Sequence, residues 1–196
     1  AHAMLGTALL AQGFAREAIP HLEKAEANDL LGVALLESGR TRDAVDRLES
    51  ALVKRPQDPD LLYYLAEAHE QLSKQVFDKL RATDPEGPRT HQMLGEALAV
   101  AGNREAAEKH FRSALATRPD LRGVHYALGE LLLQSGDYEK AEREFRAEAQ
   151  LSPGSAAAAY KLGVVLGNLG RPADAITDLK RANSLQPDMP ETLLEL

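Results

Sequence analysis

The sequence predicts an all-α solenoid of stacked antiparallel helix pairs, and three observations predict it. Small residues recur at a period of 34, with Gly95, Gly129 and Gly163 in strict register and Ala66 one period after Gly32. Each landmark opens an ordered series: after Gly95 come Gly102 at seven residues, Ala107 at twelve, Phe111 at sixteen, Ala114 at nineteen and Pro119 at twenty-four. Between these marks the apolar residues keep helical spacing, so each unit reads as two amphipathic helices of about 12 to 14 residues joined at a glycine. Neither helix can bury its stripe alone, and stacking such units gives one continuous body rather than separate domains.

The six units follow in order, about residues 1–27, 28–57, 58–87, 88–121, 122–155 and 156–188. The first carries Gly6, the turn glycine Gly13, Ala18 and Ala25, with Leu22 in the aromatic slot. Gly32 comes only 26 residues after Gly6, so about one turn is missing from each facing helix end near Asn28 and Asp29. Both residue types cap helix N-termini, which predicts a tight turn there and a short helix from about Leu30 to Ser38. The second unit is regular through Gly32, Gly39, Ala44, Leu48, Ala51 and Pro56, and Pro56 is expected to end its second helix.

The third unit is irregular. Phe77 and Pro85 keep the spacing of Phe111 and Pro119, but Ala66 to Phe77 is eleven residues where the series needs sixteen. The missing residues include the turn glycine, and nothing from His69 to Leu80 breaks a helix. Residues 59–83 therefore form either one long helix, with Leu65, Leu72, Val76, Phe77 and Leu80 along it, or two helices bent near Leu72–Lys74. Both predict irregular curvature at this point. The fourth unit is the reference. The fifth repeats it through Gly129, Gly136, Ala141, Phe145 and Pro153, except that Glu148 stands in the second small position. The sixth gives Gly163, Gly170, Ala175, Leu179, Ala182 and Pro187, and residues 189–196 read as the start of a truncated seventh.

Composition narrows the function. With 44% hydrophobic and 27% charged residues the chain has enough apolar surface for a core. A formal net charge of -7 argues against a nucleic-acid partner, which requires a positive surface. There is no cysteine, so thiol chemistry and cysteine metal sites are excluded while the redox compartment stays open. No apolar run is long enough to span a bilayer, and the opening stretch is amphipathic rather than a signal peptide. The chain begins within a repeat, so any targeting segment would lie upstream; a cytoplasmic location is expected, and a periplasmic one fits as well.

The 34-residue unit with Leu94-Gly95, Gly102, Ala107, Phe111, Ala114 and Pro119, and the turn sequence Gly136-Asp137-Tyr138-Glu139-Lys140-Ala141, resembles the tetratricopeptide repeat. The chain departs from that family in its two deletions, its lack of tryptophan, and leucine at positions 22, 48 and 179 in place of the aromatic. Those leucines conserve volume and are expected to be tolerated. The resemblance implies a right-handed superhelix whose first helices line a concave groove, and a non-catalytic protein-interaction function. Close approach at the small positions implies that Ala141→Leu destabilises the fold by about 1 to 3 kcal/mol.

Catalytic motifs are missing. His69-Glu70 opens like a zinc-protease motif, but Ser73 occupies the place of the second histidine, and no phosphate-binding or nucleophile-elbow motif occurs. His91 and His125 fall at the same repeat position, four before the glycine, and read as half-buried packing residues. No cofactor or metal is expected. On the concave face the resemblance places Tyr63, Gln92, Tyr126 and Tyr160 three before the landmark and Glu67, Glu96 and Glu130 one after. Glu70 lies four after, and Gln71, Val100, Gln134 and Asn168 five after. These describe a tyrosine-lined, acidic groove suited to a neutral-to-basic peptide, although tyrosine here could equally pack between helices. Some family members clamp a C-terminal carboxylate with Lys, Arg and Asn along this groove, whereas here the matching positions hold Tyr, Glu and Val. A rival reading is self-association through exposed repeat ends, with Leu193, Leu194 and Leu196 covering a neighbouring chain.

Overall fold

The structure, a computed structural model, describes residues 1–187. These residues form α1 (His2–Ala11), α2 (Ala15–Lys24), α3 (Asn28–Glu37), α4 (Thr41–Lys54), α5 (Pro59–Thr83), α6 (Pro88–Val100), α7 (Arg104–Thr117), α8 (Val124–Gln134), α9 (Tyr138–Leu151), α10 (Ala156–Asn168) and α11 (Pro172–Leu185), with no strand among the described residues. Two compact units result, one covering Ala1–Leu80 and the other beginning at Arg81. The suggested contacts of Leu193, Leu194 and Leu196 lie outside the described residues.

The two kinds of glycine do different work. At the interhelical turns Gly102 and Gly136 adopt φ of 78° and 80°, the left-handed region that costs other residues roughly 1 kcal/mol or more. The landmark glycines are helical and are small for packing. A Cβ on Gly95 would lie 2.6 Å from Phe111 and one on Gly129 2.9 Å from Phe145; the same contact falls on leucine at Gly6–Leu22, Gly32–Leu48 and Gly163–Leu179. Each pair joins the two helices of one repeat, so the ring or leucine fills the hole that the absent side chain leaves. Gly95→Ala should therefore cost about 1–3 kcal/mol in urea unfolding, whereas Gly154→Ala, with nothing near its Cβ, should leave the midpoint nearly unchanged.

In the first unit the core is Ala18, Leu22, Leu31, Leu35, Ala44 and Leu48, closed by Leu61 and Ala68 of α5. In the second it is Ala107, Phe111, Leu128, Ala141, Phe145, Leu162 and Val165. Ala141 is fully buried, as its packing role requires.

Three local details differ from or decide the sequence expectations. The short junction turns on Glu26, the non-glycine residue with positive φ (52°), so α3 starts at Asn28 rather than near Leu30. Asn28 and Asp29 therefore lie in its first turn rather than capping it. The lost turn is visible in α2, which has 10 residues against 14 in α4, α7, α9 and α11. Residues 59–83 are one helix, because without the turn glycine every backbone N–H finds its partner most simply by continuing the helix.

Candidate functional site

Within the second unit α6, α8 and Phe111 of α7 border an open hollow of about 300 Å³, lined by Glu96, Ala99, Val100, Phe111, Ala127, Glu130, Leu131 and Gln134. The helical period brings this about. Positions one and five after each landmark glycine lie on one face, so Glu96 and Val100 of α6 meet Glu130 and Gln134 of α8. Its floor is apolar and its rim carries carboxylates and an amide. A larger depression of about 700 Å³ runs along α7, but its lining, from Asn103 to Ala116, belongs to that one helix, so no second wall closes on a ligand.

Hydrogen bonds organise the rim. Arg89 donates to Oε1 of Gln92 at 2.6 Å, and Nε2 of Gln92 donates to Glu96 at 2.9 Å. Glu130 is met by Lys161 of α10 at 2.7 Å, a cation that the sequence reading did not include. Burial alone would lower the Lys161 pKa, but the hydrogen bond and charge of Glu130 hold it above its ordinary value, so the lysine keeps its charge. Tyr126 has its pKa raised, first by burial and then by the Glu130 charge. Its ring packs edge-on to Phe145 at 5.6 Å between centroids, so this tyrosine is partly a core residue.

The other expected residues fall elsewhere. Tyr160 is half-buried on α10. Asn168 donates to the Val164 carbonyl at 2.9 Å and lines a separate hollow of about 540 Å³ with Gly163, Gly167 and Ile176. Tyr63, Glu67, Glu70 and Gln71 belong to α5 of the first unit. Tyr63 is exposed and edge-stacked on Tyr64, and Glu70 is exposed. Gln71 engages Glu67 at 3.5 Å and Thr41 at 3.4 Å, while Gln75 donates to Thr41 at 3.1 Å.

Five of the six histidines share one design. His2 meets His21, His91 meets His110, and His125 meets Glu144, always the residue 19 further on and across one helix pair. The packing reading of His91 and His125 thus acquires a partner at the position fifteen after the glycine. Among the described residues no group of three or more His, Asp or Glu is arranged to hold a metal ion.

His110 and His125 respond to protons with opposite signs. The His110 pKa is lowered by burial, then by His91 and Lys109, against the pull of Glu86. Its folded state disfavours the proton, so stability falls as pH drops below the ordinary 6.5. The His125 pKa is raised, chiefly by its Glu144 hydrogen bond, with burial opposing. Its contribution is complete below 6.5 and is lost as pH rises through the elevated folded value. Thermal unfolding should accordingly show His110→Asn least harmful in mild acid and His125→Asn most harmful there; matching pH profiles for the two variants would contradict this assignment.

Helix pairs stacked at a regular period, with a hollow between successive first helices, define an α-helical repeat protein as the class. The tetratricopeptide repeat model matches residues 30–75 and 126–190, more than half the chain, with further tetratricopeptide models over 101–147 and 88–113. The chain belongs to the tetratricopeptide repeat family, whose fold commonly mediates protein–protein or peptide binding.

Solved structures agree on the fold. YrrB, described as a TPR protein with an unusual peptide-binding site, is 18% identical, with 88% of this chain and 94% of that one covered and a TM-score of 0.55. TTC0263, a thermophilic TPR protein of Thermus thermophilus, is 24% identical over 86% and 95%, with a TM-score of 0.51. The first TPR of Spaghetti (RPAP3), bound to the HSP90 peptide SRMEEVD, is 16% identical over 56% and 86%, with a TM-score of 0.54. No curated protein matches the chain. Among the described residues no helix is long and apolar enough to cross a membrane.

Proposed function

We propose that this chain is a non-catalytic scaffold whose second unit docks a neutral-to-basic peptide between α6 and α8. The hollow lined by Glu96, Val100, Phe111, Glu130, Leu131 and Gln134 carries this reading, because an apolar floor beside a carboxylate rim suits an aliphatic side chain flanked by Lys or Arg. Val100, 92% exposed, offers an apolar surface beside that floor. Gln134 supplies an amide for an extended peptide backbone. Because Lys161 already neutralises Glu130, the attraction for a cation falls mainly on Glu96.

The peptide SRMEEVD seen with Spaghetti is acidic, and Glu96 would repel such a sequence. Fluorescence anisotropy against a panel of labelled heptapeptides tests the proposal. Peptides pairing Lys or Arg with Leu or Val should bind and should weaken as salt rises. Glu96→Lys should weaken them about tenfold with helicity unchanged, since a reversed rim charge is worth on the order of 1 kcal/mol. Equal binding of acidic and basic peptides, or no effect of Glu96→Lys, would overturn it.

A further inference from the structure

We infer that α5 is a self-association surface at which two copies of this chain pack antiparallel about a two-fold axis near Gln71. In the other repeats described, the second helix folds back so that a leucine or phenylalanine fills the hole over the landmark glycine. The third repeat retains both partners in sequence, Ala66 and Phe77, but on a single rod, where their separation is roughly 16 Å of helical rise. They cannot meet within one molecule, so Ala66 stays exposed on the rod instead of being covered by its filler, and a second molecule can cover it.

One side of α5 is already committed: Leu61 and Ala68 are buried in the first unit's core, and Gln71 and Gln75 bond Thr41. Another side is a stripe of Leu62, Ala66, His69, Ser73, Val76 and Leu80, which advances by alternating steps of four and three, the spacing of a two-helix seam. Leu62 is 48% and Val76 55% exposed; Ala66, His69 and Ser73 are exposed and Leu80 is half-buried. The stripe is palindromic about Gln71. In an antiparallel pair Leu62 meets Leu80 of the second copy, Ala66 meets Val76 and His69 meets Ser73, so leucine faces leucine at the ends and each inner pair sets a small residue against a larger one.

Charge selects the same arrangement. Residues 59–71 carry Asp60, Glu67 and Glu70 with no Lys or Arg, whereas residues 72–83 carry Lys74, Lys79 and Arg81 against Asp78. Antiparallel packing lays the acidic half of each helix on the basic half of the other, while parallel packing would oppose like charges. Identity of the two surfaces makes the contact isologous and closed, so it yields a dimer rather than a filament.

Sedimentation equilibrium of the whole chain should show reversible association to twice the 21.3 kDa chain mass. Leu62→Lys with Val76→Lys should raise the dimer dissociation constant about a hundredfold, because two lysines would enter each copy of the seam. Both sites are exposed in one copy, so circular dichroism should be unchanged. The chain contains no cysteine, which permits a direct test of register. Chains bearing His69→Cys mixed with chains bearing Ser73→Cys should form an interchain disulfide under mild oxidation, and neither alone should do so comparably. A monomer at about 100 µM, a dimer that survives both lysines, or equal cross-linking in the unmixed samples would overturn the inference. A seam occupied by another part of the chain or by a different protein would appear as the first of these. Peptide binding in the second unit is read separately, so either result stands without the other.

Discussion

Phe145→Ala should destabilise the second unit by about 3–5 kcal/mol, the range for removing a large aromatic from a packed core. The ring has no exposure, fills the hole over Gly129 and supports the edge of Tyr126. The variant therefore loses its transferred area, leaves a cavity between two helix backbones and unseats a neighbouring ring. In a repeat array stability is carried by contacts within and between adjacent units, so the loss should reach α8 and α10 as well. Urea unfolding together with amide exchange resolves this: protection should fall through α8, α9 and α10. Val100→Ala, at an exposed site, provides the comparison and should move stability by less than about 0.5 kcal/mol. A loss below about 1 kcal/mol at Phe145 would contradict the packing described.

Glu148→Ala should also destabilise, by about 1–3 kcal/mol, although it restores the small residue that the repeat pattern places there. Glu148 is 4% exposed, and its carboxylate accepts the Gly123 N–H at 2.9 Å and the Ser152 hydroxyl at 3.1 Å. Gly123 is the N-cap of α8, with a left-handed φ of 85°, so the carboxylate holds the start of that helix. Alanine would leave the half-buried Gly123 N–H without its partner, the costly half of a lost hydrogen bond. Comparing melting temperatures of Glu148→Ala and Glu148→Gln tests this, since the amide retains an acceptor and should recover part of the loss. A stabilised alanine variant would mean that the repeat pattern outweighs the buried hydrogen bond.

Self-contained features could be read from the chain itself. The period of the glycines, the fillers at sixteen residues and the turn glycines depend on local spacing, so the all-α repeat fold and the elements from α6 to α11 followed from it. Glu96, Glu130 and Gln134, which the family resemblance put on one face, line one hollow between α6 and α8. Contacts between residues distant in sequence could only be settled by folding. Lys161 reaches Glu130 from the next repeat and changes which carboxylate can attract a ligand; Glu148 reaches Gly123 and makes an apparent exception structural. The third repeat shows the division most clearly: the deletion was legible, but one helix or two depended on whether backbone hydrogen bonding or refolded packing prevailed. Hydrogen bonding prevailed because the turn glycine was gone, and the resulting rod left Ala66 and Phe77 apart.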